Sequence, residues 1–186
     1  MLSAIVTTGG QEHAAVATLA CLVPAAAAGV VRDVILVDCT GSQAIERVAD
    51  VAGCGYLAAT GSRAEALAAG AAQARGPWLM FIEAGAVLDP GWIDEASQFV
   101  QNVALSGVPR AGTFIAARSP YSQSGWRDWI GSVARMFGYA SRESGLLIAR
   151  DHYERLGGYD AAGSEAALRR WLGASRVKLR SRIVVS

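Results

Sequence analysis

Acidic side chains stand directly after two apolar runs of the sequence. Asp38 follows residues 34–37, and Glu83 follows residues 78–82. A carboxylate in such a position can bind a divalent cation, contact a nucleotide or cap the turn that follows. A third acid, Glu165, opens a predicted helix. There it can act as a general base toward a hydroxyl, or it can simply favour the helix dipole.

Hydroxyl and basic side chains accompany these acids. Thr7 and Thr8 end the first apolar run, and Arg63 opens the third predicted helix. Threonine hydroxyls can hydrogen-bond a polar ligand, and a guanidinium suits phosphate. The alternative for Arg63 is an ordinary exposed arginine on a helix surface.

Alternating patterns in the first hundred residues position these side chains. Apolar runs predict strands at 2–7, 34–37, 56–59 and 78–82, and helices are expected at 13–22, 43–52, 63–74 and from Asp89-Pro90 onward. Pro24 is expected to end the first helix, and Asp89 to cap the fourth. Continuous apolar strands joined by helices predict an α/β fold with a mainly parallel sheet covered on both faces. Ligands of such sheets bind beyond the carboxyl ends of the strands.

The rest of the chain is less regular. Strands are expected at 111–117, 145–149 and 183–185, and helices at 126–140, 151–156 and 165–172. The segment 126–140 is amphipathic, with tryptophans on its apolar side beside arginines. It is interpreted as a core helix; the alternative is a face that docks on a membrane surface.

Composition limits the function classes. The 186 residues are 52% hydrophobic, which favours one folded domain. Three cysteines without C-x-x-C spacing argue against a disulfide scaffold and favour a reducing, cytoplasmic location. Two histidines exclude a multi-histidine metal site. No basic stretch precedes the first apolar run, so a secretory signal is not expected.

Charge is distributed unevenly along the chain. Residues 1–109 hold four arginines and ten acids, whereas residues 110–186 hold thirteen basic and six acidic residues. The second half is therefore expected either to meet an anion such as a phosphate or to present an ordinary solvated surface. The net charge of +1 and the aromatic spacing do not favour nucleic acid as a partner.

Five motifs in order give the chain a family resemblance. It resembles the family 2 glycosyltransferases, which have the GT-A fold, through residues 4–10, 35–42, 61–76, 81–91 and 150–160. The resemblance covers almost the whole chain and implies one GT-A-like domain over residues 1–186. Residues 1–109 would be the nucleotide-binding half, and residues 110–186 the acceptor and catalytic half.

The resemblance also assigns roles. Asp38 matches an aspartate that contacts the nucleotide base, and Cys39 stands where the family has a second aspartate. Glu83 and Gly85 replace the Asp-x-Asp pair that binds Mn²⁺ or Mg²⁺, so Glu83 is left as the one metal ligand of that motif. Without a metal, arginines can stabilise the leaving diphosphate; the candidates are Arg118, Arg150, Arg169 and Arg170.

Glu165 matches the catalytic base of an inverting transfer. The resemblance therefore implies a glycosyltransferase with Thr7, Thr8, Asp38, Arg63 and Glu83 on the nucleotide sugar and Glu165 on a hydroxyl acceptor, with a lipid-linked acceptor and a peripheral membrane location among the options. Because the catalytic motifs depart from the family together, a non-catalytic binding or assembly protein is the alternative. A nucleotidyltransferase ranks third, since residues 7–12 lack a basic residue to hold a triphosphate.

Overall fold

The structure is a computed structural model that describes residues 1–118 and 145–185. Within these residues eight strands form one mixed sheet in the order β3-β2-β1-β4-β7-β6-β8-β5. Their bounds are β1 Leu2–Thr8, β2 Val31–Asp38, β3 Gly55–Ala58, β4 Trp78–Glu83, β5 Ala86–Leu88, β6 Ala111–Arg118, β7 Leu146–Ala149 and β8 Arg176–Val185. Strands β3, β2, β1 and β4 run parallel, as continuous apolar runs joined by helices predict.

The second half of the sheet is mostly antiparallel. Strand β7 is antiparallel to both β4 and β6, while β8 is parallel to β6 and antiparallel to β5. Strand β7 therefore enters the sheet at the edge where β4 ends, and β6 ends at that same edge. The predicted mixed α/β sheet is confirmed.

Helices cover both faces of the sheet. They are α1 Glu12–Ala27, α2 Gln43–Ala52, α3 Arg63–Gln73, α4 Trp92–Ser106, α5 Arg150–Arg155, α6 Gly158–Ala162 and α7 Glu165–Leu172. A first core joins α1, α2 and α4 to one face, around Leu19, Leu36, Met80 and Trp92. A second core joins α3 and α5–α7 to the other face, around Ile5, Leu67, Phe81 and Leu168. Burial of these side chains is the main stabilising contribution.

The expected end of the first helix at Pro24 is wrong. Helix α1 continues to Ala27, with Pro24 inside it. Proline removes the hydrogen bond to the carbonyl four residues earlier, which here belongs to Ala20. Both residues are exposed, so water can satisfy that carbonyl. Among the described residues, no helix is long and apolar enough to cross a membrane.

The predicted cap of the fourth helix is also wrong. Helix α4 begins at Trp92 with Gly91 as its N-cap. The Asp89 carboxylate instead accepts the Arg182 N–H from β8 at 2.9 Å. This long-range contact outweighs the local capping pattern. Strand β5 and helix α6 were not predicted, since both are short. The predicted helix at 126–140 lies outside the described residues.

Candidate functional site

The carboxyl ends of three parallel strands bring the predicted residues to one edge of the sheet. Register pairs Thr8 of β1 with Asp38 of β2, and Thr7 with Glu83 of β4. Arg63 opens α3, which follows β3, so its helix N-terminus lies at the same edge. Sequence alternation of strands and helices thus creates this edge.

The predicted nucleotide-binding side chains point to different faces of the sheet. Thr7 and Glu83 alternate with Val6 and Ile82 of the first core, so they point to the α3 side. Asp38 alternates with Val37 of the second core and points to the opposite side. The predicted nucleotide-binding residues therefore share an edge but not a face.

Helix α7 brings Glu165 to the α3 side of this edge. Ser164 caps α7 by accepting the Ala167 N–H at 3.2 Å. Ser62 caps α3 in the same way and forms a capping box with Glu65. The two capped N-termini present Glu165 and Arg63 to each other.

An ion-pair network links the two helices to β4. Arg63 donates its Nε–H to Glu165 Oε1 at 2.5 Å, and its Nη2 lies 3.6 Å from Glu83 Oε2. Arg169, one turn along α7, contacts Glu165 Oε2 at 3.3 Å. The side chains of Arg63, Glu83 and Glu165 are 35%, 37% and 27% exposed, so solvent reaches the network.

The local electrostatics favour charged Arg63. Partial burial opposes its charge, but the carboxylates of Glu165 and Glu83 outweigh that effect and raise the pKa of Arg63. Among the described residues, the network joins two carboxylates and two guanidiniums, whose charges balance. An incoming diphosphate would have to compete with Glu83 and Glu165 for the guanidiniums.

Sequence reasoning missed Tyr159, which lies beneath the network. Its ring is 4% exposed and packs edge-on against Phe81 at 5.1 Å between centroids. Burial, and then the charge of Glu165, raises the pKa of Tyr159, so the phenol stays neutral. Tyr159 belongs to the Gly-Gly-Tyr-Asp motif, which was the signal available in the sequence.

The Asp38 carboxylate is fully buried and used within its own loop. Oδ1 accepts from the Thr40 N–H at 3.1 Å and from its hydroxyl at 2.7 Å, and Oδ2 accepts from the Ser42 N–H at 2.5 Å. This is the capping role that an aspartate at a strand end can fill. Nucleotide contact by Asp38 stays a prediction.

The two threonines differ. Thr8 is buried and its hydroxyl accepts the Gly10 N–H at 3.2 Å, which shapes the loop after β1. Thr7 is also buried, but its Oγ1 has no hydrogen-bond partner among the described residues. A buried hydroxyl without a partner is costly, so Thr7 is the more promising of the two for a ligand contact.

Solved structures share this arrangement of strands and helices. One is glucosyl-3-phosphoglycerate synthase from Mycobacterium tuberculosis, in complex with Mn²⁺, UDP and glucosyl-3-phosphoglycerate. The alignment covers 100% of the present chain and 70% of the synthase chain, with a TM-score of 0.64 and 14% sequence identity. Another is TarS (1–349) from S. aureus, whose alignment covers 100% of the present chain and 58% of the TarS chain, with a TM-score of 0.62 and 13% sequence identity. The chain has the GT-A glycosyltransferase fold.

A third neighbour, a mycobacterial protein, matches 100% of the chain and 67% of its own chain, with a TM-score of 0.65 and 15% identity. No sequence-family profile and no curated protein sequence matches the chain. Identities this low establish the fold and not the activity. The predicted fold class is confirmed, and family 2 membership stays a prediction.

At the end of β4, Glu83 is followed two residues later by Gly85, so this stretch offers one side-chain carboxylate. Glu83 contacts Arg63, and position 85 is a glycine whose N–H donates to the Ala14 carbonyl and the Thr18 hydroxyl, both at 2.9 Å. Among the described residues, no group of three or more His, Cys, Asp or Glu side chains is arranged to hold a metal ion. These residues fit a two-carboxylate cation site poorly.

The arginines suggested for a metal-free site lie in different places. Arg169 joins the network through Glu165, while Arg170 is exposed on α7. Arg118 ends β6 at the site edge. Arg150 lies at the opposite edge, where its guanidinium donates to the carbonyls of Ala71, Ala74 and Gly76. Arg150 therefore caps the end of α3 and does not reach the network.

Proposed function

We propose that the chain is a glycosyltransferase that moves a sugar from a nucleotide-sugar donor to a hydroxyl acceptor. The observation that carries this proposal is the meeting of Arg63, Glu83 and Glu165 at the ligand-binding edge of a GT-A fold. The neighbour described with UDP and glucosyl-3-phosphoglycerate supports a nucleotide sugar as the donor class.

Glu165 is the proposed base. Its carboxylate takes the proton of the acceptor hydroxyl as the hydroxyl oxygen attacks the anomeric carbon. The bond between that carbon and the diphosphate oxygen breaks, so the configuration inverts and the nucleoside diphosphate leaves. Arg63 and Arg169 each contact one Glu165 oxygen and hold the carboxylate in orientation.

Arg63 is the proposed partner of the donor diphosphate. A guanidinium has five N–H donors, and the contacts with Glu165 and Glu83 use only some of them. The remaining donors suit phosphate oxygens. In this proposal Arg63 takes the charge-compensating role that a divalent cation would otherwise supply, and its guanidinium turns from Glu83 or Glu165 toward the diphosphate.

Thr7, Thr8 and Asp38 are proposed to form the nucleotide side of the edge. The unpartnered Thr7 hydroxyl supports a direct contact. Thr8 and Asp38 fix the loops that follow β1 and β2, so their contribution is to the shape of the pocket.

A non-catalytic binding protein is the second candidate. The neutral network favours it, because each carboxylate already faces a guanidinium and the cation-binding pair is reduced to Glu83. Such a protein would bind a nucleotide without transferring a sugar, or would bind a protein partner.

Calorimetric titration with UDP, GDP, CDP and dTDP, each with and without Mn²⁺, tests the proposal. Micromolar binding of one diphosphate without Mn²⁺ supports the Arg63-based site, and release of nucleoside diphosphate from the matching sugar donor supports transfer. Binding that requires Mn²⁺ contradicts the cation-free form. No binding by the folded protein contradicts the donor site itself.

The variant Arg63→Gln locates the binding site. We expect it to weaken binding of the diphosphate, whereas Arg47→Gln, on the exposed side of α2, serves as the matched control.

A further inference from the structure

Strand β8 presents basic side chains on one side and apolar ones on the other. Arg176, Lys178, Arg180 and Arg182 are exposed, and we name these four residues the basic strip. Leu179 and Ile183, which alternate with them, are buried in the first core. Arg176 pairs with Ala111 of β6 and Arg182 with Ile115, so a register shift lets six residues of β8 span four of β6. The strip is therefore about 13 Å long.

The basic strip lies on the same side of the sheet as α7. Register pairs Arg176 with Ala111 and Lys178 with Thr113, and Ala111 belongs to the second core with Leu168 and Leu172 of α7. Helix α7 leads through Gly173–Ser175 directly into β8. The basic strip and α7 therefore lie on the same side of the sheet and are adjacent in the chain.

An exposed tryptophan precedes the strip in the sequence, on the helix that leads into β8. Trp171, near the end of α7, has 47% of its surface exposed, and the neighbouring Arg170 is exposed as well. An indole in this position combines an apolar body with an N–H donor. The surface thus carries cations together with one large interfacial side chain.

Nearby carboxylates hold the backbone of β8. Glu95 accepts the N–H groups of Arg180 and Ser181, and Asp89 accepts that of Arg182. Within the part of the chain that the structure describes, ion pairs form at Arg63, Arg150 and Arg169 and not at Lys178 or Arg182. Lys178 and Arg182 therefore keep exposed positive charges, whereas Arg180 lies close enough to Glu95 to help lower the pKa of that carboxyl.

We propose that the basic strip and Trp171 are a docking surface for a bilayer that contains anionic phospholipids. A lysine or arginine near an anionic leaflet strengthens binding, and the row of cations matches the negative charge of the lipid headgroups. Tryptophan is enriched at the level of these headgroups. This docking surface is independent of the proposed transferase activity.

A bilayer fits this surface better than a polynucleotide or an acidic protein. Single-stranded nucleic acid is bound by a groove with several stacking aromatics, whereas the strip has Trp171 at one end. A protein partner is typically anchored by a buried apolar centre, whereas the centre of the strip is Lys178 and Arg180.

Co-sedimentation with vesicles tests the docking surface. We expect the full chain to sediment with phosphatidylcholine vesicles that contain about one third phosphatidylglycerol and to stay in solution with pure phosphatidylcholine. Binding should be lost at about 1 M NaCl, where charges are screened within about 3 Å. Equal binding to neutral vesicles, or no binding to anionic ones, overturns the proposal.

A matched pair of variants locates the contact. Lys178→Gln/Arg182→Gln should weaken binding to the anionic vesicles about 25-fold, since each cation contributes about fivefold. Arg32→Gln/Arg47→Gln removes the same charge from exposed positions near the other end of the sheet and should change binding less than about twofold. Far-UV circular dichroism checks that both variants are folded. Equal losses in the two variants overturn the assignment to β8.

Tryptophan fluorescence tests whether Trp171 itself contacts the bilayer. If Trp171 only supported the fold, vesicles would not change its emission. Anionic vesicles should shift the emission of the wild type to shorter wavelength, and Trp171→Phe should remove that shift while leaving sedimentation partly intact. A shift that persists in Trp171→Phe assigns the contact to another tryptophan and overturns the role of Trp171. Preferential binding of a single-stranded RNA oligonucleotide over anionic vesicles overturns the choice of occupant.

Discussion

Arg63 and Glu165 form a 2.5 Å hydrogen-bonded ion pair across 102 positions of sequence. The pair joins the first turn of α3 to the first turn of α7, and the second contact of Arg63, to Glu83, adds the end of β4. Each residue thus depends on a different element of the fold. The ion pair gives the carboxylate a fixed orientation and leaves both groups within reach of solvent.

Replacing Arg63 by glutamine should weaken nucleotide binding with little effect on the stability of the protein. We expect the affinity for a nucleoside diphosphate to fall by about tenfold to a hundredfold, because a charge-assisted phosphate contact contributes about 1.5–3 kcal/mol. The free energy of unfolding should change by less than about 1 kcal/mol, since the ion pair is partly solvated. Calorimetry and urea denaturation measure the two quantities. A large loss of stability with unchanged affinity would make Arg63 a structural residue.

Glu165→Gln tests the proposed base. Glutamine can still accept from Arg63 but cannot take a proton, so the transfer rate should fall at least about a hundredfold. Affinity for the nucleoside diphosphate should be kept or increased, because the removed carboxylate competes with the diphosphate for Arg63 and does not itself contact the donor in the proposed site. Glu12→Gln is the control, since Glu12 is also an exposed first-turn glutamate. Wild-type turnover in Glu165→Gln would exclude Glu165 as the base.

Local sequence patterns predicted the helices and strands that form the site. They did not predict the side-chain contacts between these elements. Helices at 43–52 and 165–172 have the predicted bounds, because amphipathic spacing fixes both locally and Ser164 caps the second one. The helix end expected at Pro24 was wrong because the carbonyl of Ala20, which loses its helical hydrogen bond, is exposed to water. The cap expected at Asp89 was wrong because its carboxylate accepts the Arg182 N–H of β8. Neither is visible in a short window of sequence.

For the candidate site too, the sequence predicted where residues lie along the strands but not which side chains contact each other. Strand ends placed Thr7, Asp38 and Glu83 at one edge, as a parallel sheet requires. The sequence did not reveal that Arg63 bridges Glu83 and Glu165, because side-chain pairing across 102 positions depends on helix packing. It also missed Tyr159, whose position depends on the packing of a five-residue helix against β4.

Arg150 should act on stability and not on ligand binding. Its guanidinium donates to three carbonyls at the end of α3 and is 23% exposed. Arg150→Lys cannot satisfy all three, so the free energy of unfolding should fall by about 2 kcal/mol. Arg155→Lys, which loses one bond to the Asp151 carbonyl, should cost less than about 0.5 kcal/mol. Urea denaturation measures both. Loss of nucleotide affinity in folded Arg150→Lys would instead connect Arg150 to the site.

Glu95 should make the stability of the protein pH-dependent. Burial opposes its charge, but hydrogen bonds from Ser181 and Arg180 outweigh burial and lower the pKa of Glu95. The unfolded chain therefore binds this proton more readily. The stabilisation is fully present above the unfolded pKa of about 4.3 and is lost as pH falls through the lower folded pKa.

The variant Glu95→Gln isolates this contribution. At pH 7 it should unfold at lower urea concentration than the wild type, because its amide turns a donor toward one of the β8 N–H groups. The difference should shrink at about pH 3, where the wild-type carboxyl is increasingly protonated. Asp94→Asn, in the same turn of α4, is the control and should show a small difference at both pH values. An equal difference between Glu95→Gln and wild type at both pH values would show that the charge of Glu95 does not stabilise β8.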